Sequence, residues 1–434
     1  MRILSYPEQA KEVLRAFDPP VAKEQELASR VKMIVEAVRQ NGDGALVEFA
    51  AQFDGASLSA KSLRVPESEL KRAWESLPKP LKSALRLAKS RIEKFHKAQM
   101  QKGYVQKEKG VRLEHRVTPL RRVGVYVPGG KAAYPSTVLM NVIPAKVAGV
   151  KEIAMVTPAR GKAGVAASLL GAAWLAGVRE VYPIGGAQAV AALAFGTESI
   201  PRVDKVVGPG NVYVATAKRL LFGTIDIDMI AGPSEILVIA DDSADPQFVA
   251  ADLLAQAEHD ESAVAIAIVI GKKFPVGGLV NEIHAQTEKA SRRKIIEESL
   301  TNNGLLIRVA DRKTAVELAN RKAPEHLEVL VRNPRGLARE LKNVGSVFVG
   351  PWTPVPLGDY VAGPNHTLPT DGTARFASPL SVRAFLKESQ VLEISKDGLE
   401  KLAGPTCVLA EAEGLPAHAD AVRIRLGAKK RNGA

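Results

Sequence analysis

The chain has little cysteine, few aromatic residues and no long apolar run, and each shortage excludes a class of protein. Its single cysteine, Cys407, rules out an internal disulfide and a zinc site built from thiolates. No stretch of about 20 consecutive apolar residues occurs, so no membrane-spanning helix is predicted. Residues 1–7 lack the basic and apolar regions of a signal peptide, and we expect a cytoplasmic protein.

Charged residues are abundant but thinly spread. The chain holds 60 lysines and arginines against 47 acidic residues, a net charge of +13, with local clusters at 97–109 and 429–431. Aromatic residues make up only 5% of the chain, and no aromatic–basic motif of a nucleic-acid reader occurs. We therefore interpret the basic residues as a solvated surface and predict no nucleic-acid partner.

The secondary-structure pattern changes near residue 123. Before it, apolar residues between Leu27 and Val38 keep a helical period, which the Asn-Gly-Asp-Gly segment at 41–44 interrupts. After it, short apolar strands alternate with helices, a pattern typical of parallel sheets covered by helices. Strands are predicted at 123–127, 152–157, 180–184, 236–240, 263–270, 305–309, 327–331 and 346–349.

This alternation predicts an α/β protein of two Rossmann-like lobes with small N- and C-terminal tail regions. A chain of 434 residues is also too long for one core of typical size. The predicted parts are an N-terminal tail of 1–21, a first lobe split into 22–122 and 236–378, a second lobe of 123–235, and a C-terminal tail of 379–434.

The most informative segment begins at Ile227 and runs on to His259. A Gly-Pro turn leads into an apolar strand and then into a helix that Asp245 caps and Pro246 begins. The helix ends by presenting Gln256 and His259, three residues apart and therefore on one face. We expect both side chains to point into one site.

Three glycine-rich turns follow predicted strands, at 126–130, 185–188 and 208–211. The turn at 185–188 opens a helix whose N-terminal amides could face phosphates. None of the three is the G-x-G-x-x-G fingerprint of a dinucleotide site. From the residues alone, cofactor binding and plain strand-to-helix turns are equally good interpretations.

Several histidines stand beside carboxylates or glycine-rich turns. Glu325 and His326 are adjacent and could act as paired acid–base groups, although such pairs are also common on surfaces. His259, Asp359 and His418 would suit zinc, but their wide spacing does not specify a metal site. His366 lies in a loop of the same kind, whereas His96, His115 and His284 are expected at the surface, the last three with no role.

Seven blocks, in their order along the chain, resemble the histidinol dehydrogenase family from about residue 20 to Arg425. They are 122–130, 185–189, 208–211, 227–259, 323–327, 358–370 and 413–419. The resemblance implies an enzyme that oxidises L-histidinol through bound L-histidinal to L-histidine with two NAD⁺, the last two steps of histidine biosynthesis. It also implies one zinc ion per active site.

The resemblance further implies roles for particular residues. The metal ligands would be Gln256, His259, Asp359 and His418. These four would surround the substrate together with Ser234, His326 and Glu413. The NAD contacts would be Tyr126, Gln188 and Asn211. Members are homodimers in which the C-terminal tail crosses over, so that Glu413 and His418 would complete the partner's site.

In the implied reaction, His326 removes the hydroxyl proton while hydride leaves the same carbon for the nicotinamide. Glu325 then activates water to hydrate the aldehyde, and a second hydride transfer gives the carboxylate. Two alternatives remain at this point. One is a related dehydrogenase that acts on another small alcohol, and the other is a zinc-stabilised basic binding protein without catalysis.

Overall fold

The computed structural model describes residues 1–18, 24–129, 133–159, 161 and 164–427. The chain forms two compact units, one of Met1–Gln99 with Leu120–Phe385 and one of Met100–Pro119 with Leu386–Ala434. The strands are β1 (Arg2–Ser5), β2 (Tyr104–Glu108), β3 (Val111–Pro119), β4 (Arg122–Tyr126), β5 (Glu152–Val156), β6 (Glu180–Tyr182), β7 (Lys205–Val207), β8 (Asp226–Ile227), β9 (Glu235–Ala240), β10 (Val264–Ile270), β11 (Gly304–Val309), β12 (His326–Leu330), β13 (Ser346–Val349) and β14 (Leu386–Ile394). The α-helices are α1 (Ala10–Arg15), α2 (Glu24–Asp54), α3 (Glu67–Ser76), α4 (Lys79–Lys97), α5 (Pro135–Ala148), α6 (Ala167–Ala176), α7 (Gly186–Phe195), α8 (Val212–Leu221), α9 (Pro246–Ala257), α10 (Val276–Lys289), α11 (Arg293–Asn303), α12 (Arg312–Lys322), α13 (Pro334–Ala338), α14 (Val355–Tyr360), α15 (Lys396–Ala412) and α16 (Pro416–Arg425).

The first unit is built on two parallel sheets. One has five strands in the order β6-β5-β4-β7-β8, and the other has six in the order β1-β11-β10-β9-β12-β13. Every residue of β4 and β9 is buried, because helices cover both faces of a parallel sheet. The prediction of an α/β fold with two Rossmann-like lobes is confirmed.

Helices α2, α3 and α4 pack on the lobe of the five-stranded sheet. Val31 and Leu46 of α2 share one apolar core with Val190 of α7. Helix α3 packs on α6, and α4 packs on α5. This placement of the helices differs from the prediction, which put 22–122 in one lobe with 236–378. The sequence could not show the placement, because a helical period indicates that one face is buried but not which sheet covers it.

The beginning of the chain belongs to the six-stranded sheet. Strand β1 pairs in parallel with β11, with Arg2 opposite Leu305. Val13 of α1 is fully buried in the core of this lobe. The structure thus corrects the predicted N-terminal tail of 1–21. An edge strand of four residues is too short to show a pattern in the sequence.

Helix α2 is interrupted where the sequence predicts it. Gly42 takes the non-helical angles φ 50° and ψ −128°, so the helix is two segments joined by a kink. Among the described residues, no helix is long and apolar enough to cross a membrane.

The second unit consists of an antiparallel sheet, in the order β14-β3-β2, followed by α15 and α16. Strand β14 pairs with β3 from Leu386 opposite Pro119 onward. Residues 100–119 therefore belong with the C-terminal region rather than with the first lobe. The C-terminal part of this unit begins at Leu386, whereas the predicted tail is 379–434. Pairing between segments this far apart in sequence leaves no local signal.

Candidate active site

The predicted acid–base pair lies at the amino edge of the six-stranded sheet. Helix α12 ends with Ala323 in the left-handed conformation (φ 51°), and the chain then turns into β12. His326 is the first residue of β12 and lies opposite Ile236 of β9. Glu325 and His326 are only 6% and 5% exposed, so the pair is not the surface feature that the sequence alone allows.

Reciprocal hydrogen bonds with Glu235 hold Glu325 in place. The Glu235 N–H donates to Glu325 Oε2 (2.9 Å), and the Glu325 N–H donates to Glu235 Oε1 (3.3 Å). Lys322 forms a salt bridge with the buried Glu235 carboxylate. Sequence reasoning missed Glu235 and Lys322. A charged residue at the head of an apolar strand was the only local signal for Glu235.

The hydrogen bond of one ring nitrogen assigns the tautomer of His326. Nδ1 lies 3.1 Å from the carbonyl oxygen of Glu235, which can only accept, so Nδ1 carries a proton. Nε2 is buried without a hydrogen-bond partner and lies 3.7 Å from Asp359 Oδ1. A buried, unpartnered ring nitrogen facing a carboxylate is suited to proton transfer with a bound substrate.

Burial and charge shift both members of the pair. Burial raises the pKa of Glu325 to about 7, against the opposing effect of the nearby His326. Burial alone would lower the pKa of His326, but the Glu325 and Asp359 carboxylates outweigh it and raise that pKa to about 9. The Glu325 Oε2 to His326 Nδ1 distance is 3.5 Å. Two adjacent buried groups whose pKa values are both shifted from their ordinary values mark a candidate acid–base centre.

Helix α9 begins as the sequence predicts but ends at Ala257, so that it includes Gln256 and stops before His259. The Asp245 side chain accepts from the Gln247 N–H (2.8 Å), and Pro246 is the first helical residue. Gln256 lies in the last turn, is 2% exposed and has an Nε2 without a partner. His259 lies just beyond the helix, where its N–H donates to the Gln256 carbonyl (3.2 Å).

Asp359 lies in α14 and faces the histidines. Burial would raise its pKa, but the nearby ring of His326 outweighs burial and lowers it. Asp359 is therefore a carboxylate at neutral pH. Burial lowers the pKa of His259, although Asp359 opposes the shift. The site thus combines an anionic oxygen with an imidazole whose neutral form is favoured.

His366, for which the sequence offered no definite role, joins the site to the other lobe. Its Nδ1 lies 2.9 Å from the Asp359 carbonyl oxygen, and its Nε2 lies 3.2 Å from Thr137 Oγ1. Thr137 is in the first turn of α5, which follows β4 of the five-stranded sheet. The amino edge of one sheet therefore adjoins the carboxyl edge of the other.

Three of the four predicted metal ligands, Gln256, His259 and Asp359, belong to the first unit. Among the described residues, no group of three or more His, Cys, Asp or Glu is arranged to hold a metal. That result is compatible with the prediction because one ligand is an amide and His418 belongs to the second unit. A carboxylate, an imidazole whose neutral form is favoured and the oxygen of a buried amide fit the ligand chemistry of zinc.

The remaining substrate residues are distributed between the units. Ser234 immediately precedes β9, and its carbonyl accepts from the Val264 N–H (3.0 Å). Glu413 caps the C-terminus of α15, and His418 lies in the first turn of α16; both are exposed. Their predicted role concerns a partner subunit and stays a prediction.

The three predicted NAD residues lie at the carboxyl edge of the five-stranded sheet. Tyr126 ends β4, and its hydroxyl accepts from the Gly186 N–H (3.1 Å) at the start of α7. Gln188 is buried in the first turn of α7. Asn211 caps α8 by accepting from the N–H groups of Tyr213 (3.1 Å) and Val214 (3.2 Å). Chain order reverses between β4 and β7, which leaves a crevice suited to a ligand.

The prediction that His96 lies at the surface is wrong. This residue is fully buried in α4, where Nδ1 lies 2.8 Å from the Ile92 carbonyl oxygen. Its spacing of four from Ile92 and of eight from Ala88 places it on the buried face of α4, a signal that the sequence contains.

Comparison with known proteins agrees with the geometry. The histidinol dehydrogenase family model matches residues 19–426. The histidinol dehydrogenase of Aquifex aeolicus is 51% identical over 406 residues, which are 93% of each chain. That of Caldanaerobacter subterraneus is 52% identical over 400 residues, 92% of this chain and 93% of its own. A crystal structure of histidinol dehydrogenase from Elizabethkingia anophelis matches with a TM-score of 0.91 at 35% identity, covering 98% of both chains.

The fold and these relatives show the class of the protein, which is an oxidoreductase of histidine biosynthesis. The buried Glu325–His326 pair is compatible with that class. Within that class, the chain belongs to the histidinol dehydrogenase family. The resemblance found in the sequence is confirmed.

Proposed function

We propose that this chain oxidises L-histidinol through bound L-histidinal to L-histidine, with two NAD⁺ and one zinc ion per active site. The observation that carries the proposal is the buried Glu325–His326 pair, whose free His326 Nε2 lies 3.7 Å from Asp359. Membership of the histidinol dehydrogenase family supports the choice of substrate.

Gln256, His259 and Asp359 of one chain, with His418 of a second copy, would hold the zinc ion. When bound, zinc supplies a Lewis acid that orients the imidazole and amino nitrogens of the substrate. The carboxylate of Asp359, the imidazole of His259 with its neutral form favoured, and the buried amide of Gln256 support this assignment.

His326 is the group that we assign to the alcohol proton. The Glu235 carbonyl holds Nδ1–H and leaves Nε2 to accept the proton as hydride leaves the same carbon for NAD⁺. The Asp359 carboxylate is one cause of the raised pKa of His326. Engagement of that carboxylate by a cation would therefore lower the pKa of His326 toward its ordinary value.

Glu325 is the group that we assign to water activation. A base is most effective when its pKa lies near the working pH, and burial raises the pKa of Glu325 to about 7. Glu325 would take a proton from the water that adds to the aldehyde. As water adds, His326 would return its proton to the aldehyde oxygen and so regain a free Nε2. The hydrate then loses a second hydride to NAD⁺ and a hydroxyl proton to His326, which gives the carboxylic acid, and the acid ionises to the carboxylate.

The dinucleotide is assigned to the carboxyl edge of the five-stranded sheet, with Tyr126, Gln188 and Asn211 as contacts. The contact between Thr137 and His366 supports this, because it links that edge to the acid–base pair. Hydride transfer requires the nicotinamide and the substrate carbon to meet at such a junction.

We assign a cytoplasmic homodimer in which Glu413 and His418 complete the partner's site. The exposure of both side chains in the single chain supports this assignment. A mixture of His326→Asn and His418→Asn subunits tests it, because the mixed dimer would contain one intact site. Recovery of activity on mixing is expected, and no recovery would place His418 in its own subunit's site.

The reaction is tested by counting NADH formed from limiting L-histidinol with excess NAD⁺. Two NADH per histidinol are expected, lost on chelation and restored by zinc. His326→Asn should lower kcat by roughly 10²- to 10⁴-fold. Glu325→Gln should stop after one NADH.

The matched controls are His284→Asn and Glu288→Gln in α10, whose side chains are exposed and whose substitution should leave the count at two. Absence of NADH from folded, zinc-loaded protein would favour another alcohol as substrate. Normal turnover by either active-site variant would remove the role assigned to that residue.

A further inference from the structure

A buried carboxyl group outside the predicted site connects the elements that carry it. Glu328 lies on β12, two residues after His326, and is 1% exposed. Residues two apart on a strand point to the same face, so Glu328 shares the face of β12 that presents His326. The mechanism above gives Glu328 no role.

Glu328 fixes the start of helix α14. Its Oε1 accepts a hydrogen bond from the Val355 N–H (2.9 Å), the first residue of that helix. The N-cap residue, Pro354, makes no side-chain cap, so Glu328 supplies the acceptor from another element. Asp359 lies four residues after Val355, one helical turn away, and is placed by this anchor.

The carboxyl group of Asp252, on helix α9, interacts with that of Glu328. Two neighbouring carboxyl groups can form a hydrogen bond only when one of them carries a proton. Burial, with a further contribution from Asp252, raises the pKa of Glu328 to about 10. Oε2 of Glu328 is buried without a donor partner among the described residues, so it can share such a proton with Asp252. Asp252 lies four residues before Gln256, on the same face of α9.

We propose that Glu328 is a positioning residue that fixes α14, and with it Asp359, against the strand of His326 and the helix of Gln256. This inference rests on the proposed function, since it takes Asp359 and Gln256 as zinc ligands. Groups behind metal ligands set the ligands' orientation, and their loss typically weakens metal binding by roughly 10- to 100-fold.

The test compares three substitutions in the full-length protein. Glu328→Leu keeps a similar volume but removes both hydrogen bonds. Glu328→Gln keeps the acceptor for Val355 and provides an N–H for Asp252. Ser299→Ala is the matched control, because Ser299 is buried in the same lobe and its hydroxyl donates to the Ala263 carbonyl (2.9 Å).

Zinc affinity, measured by competition with a chelator, is the main readout, with kcat and KM for L-histidinol beside it. Glu328→Leu should weaken zinc binding by roughly 10- to 100-fold. Glu328→Gln should bind zinc like the wild type. Ser299→Ala should lower the melting temperature and leave zinc affinity unchanged, which separates positioning from general stability.

Wild-type zinc affinity in Glu328→Leu would overturn the proposal, and so would a glutamine variant as impaired as the leucine variant. If the leucine variant does not fold, Glu328→Asp replaces it, because the shorter acid cannot reach both partners and should also weaken zinc binding. A wild-type protein that binds no zinc would instead overturn the metal site of the proposed function.

Discussion

Replacing Lys218 by methionine should destabilise the protein far more than removing a surface cation. Lys218 of α8 forms a salt bridge with Asp228, and their side chains are only 2% and 1% exposed. Lys218 Nζ also donates to the Gly208 carbonyl (3.0 Å), and Asp228 Oδ2 accepts from the Gly208 N–H (2.7 Å). The pair therefore holds both backbone groups of Gly208, the first residue of the turn at 208–211.

The magnitude follows from burial. Removal of one partner of a buried ion pair costs about 3–5 kcal/mol, because the remaining charge is left uncompensated. Asp228 would still accept from the backbone N–H groups of Gly208 and Met229, both at 2.7 Å. We therefore expect a loss of about 3 kcal/mol in the free energy of unfolding, the lower end of that range.

Urea denaturation at pH 7 measures the loss, with two comparisons. Arg30→Met removes the exposed pair with Glu26, whose side chains are 59% and 62% exposed, and should cost less than about 1 kcal/mol. Lys218→Met combined with Asp228→Asn removes both charges but keeps an acceptor for the backbone, and should recover most of the stability. A single-variant cost equal to that of Arg30→Met, or a double variant worse than Lys218→Met, would refute the reasoning.

Three further predictions concern the fold and the metal. Gly208→Ala should lower the free energy of unfolding by at least about 2 kcal/mol, because φ is +111° and a Cβ would lie 2.1 Å from the Tyr126 carbonyl oxygen. The control is Gly223→Ala, which measures the backbone strain alone because φ is +99° and no atom lies within 4 Å of the added Cβ. Burial raises the pKa of Asp54 from 3.8 to about 6, so the folded chain binds the extra proton and stability falls as pH rises through this window. The free energy of unfolding of Asp54→Asn, relative to that of the wild type, should therefore rise by about 1 kcal/mol from pH 4 to pH 7, after allowing for partial exposure. The same difference between variant and wild type at both pH values would contradict this. Removing zinc from a solution at roughly 100 times its Kd should lower the free energy of unfolding by about 2.7 kcal/mol, as seen in thermal melts with and without chelator, and identical melts would exclude a site of that affinity.

Local sequence determined helix α9 and the alternation of strands and helices that forms the two parallel sheets. Asp245 and Pro246 specify the start of α9, which the structure confirms, and the spacing of Gln256 from His259 is kept by a turn beyond the helix. Alternating strands and helices predicted the parallel sheets, because that pattern depends only on neighbouring residues. The family resemblance pointed to the adjacent residues Glu325 and His326, but not to their burial.

Pairings between distant segments were decided only by the tertiary structure. Glu235 and Glu325 are 90 residues apart in sequence, yet parallel strands bring their reciprocal hydrogen bonds together. Strand β1 reaches β11 across about 300 residues, and β14 reaches β3 across a similar distance. No periodicity records such a partner, since periodicity reports which face is buried and not what covers it.

The electrostatics of the site also exist only in the folded chain. Burial raises the pKa of Glu325, whereas the carboxylates of Glu325 and Asp359 raise the pKa of His326 against the effect of burial. Neither the burial nor the contact with Asp359 is a property of the dipeptide. The residue types, their order and the local helices and strands could be inferred from the sequence. The tautomer of His326, the ionisation of Asp359 and the anchor at Glu328 required the structure, because each depends on atoms that only long-range packing brings within hydrogen-bonding distance.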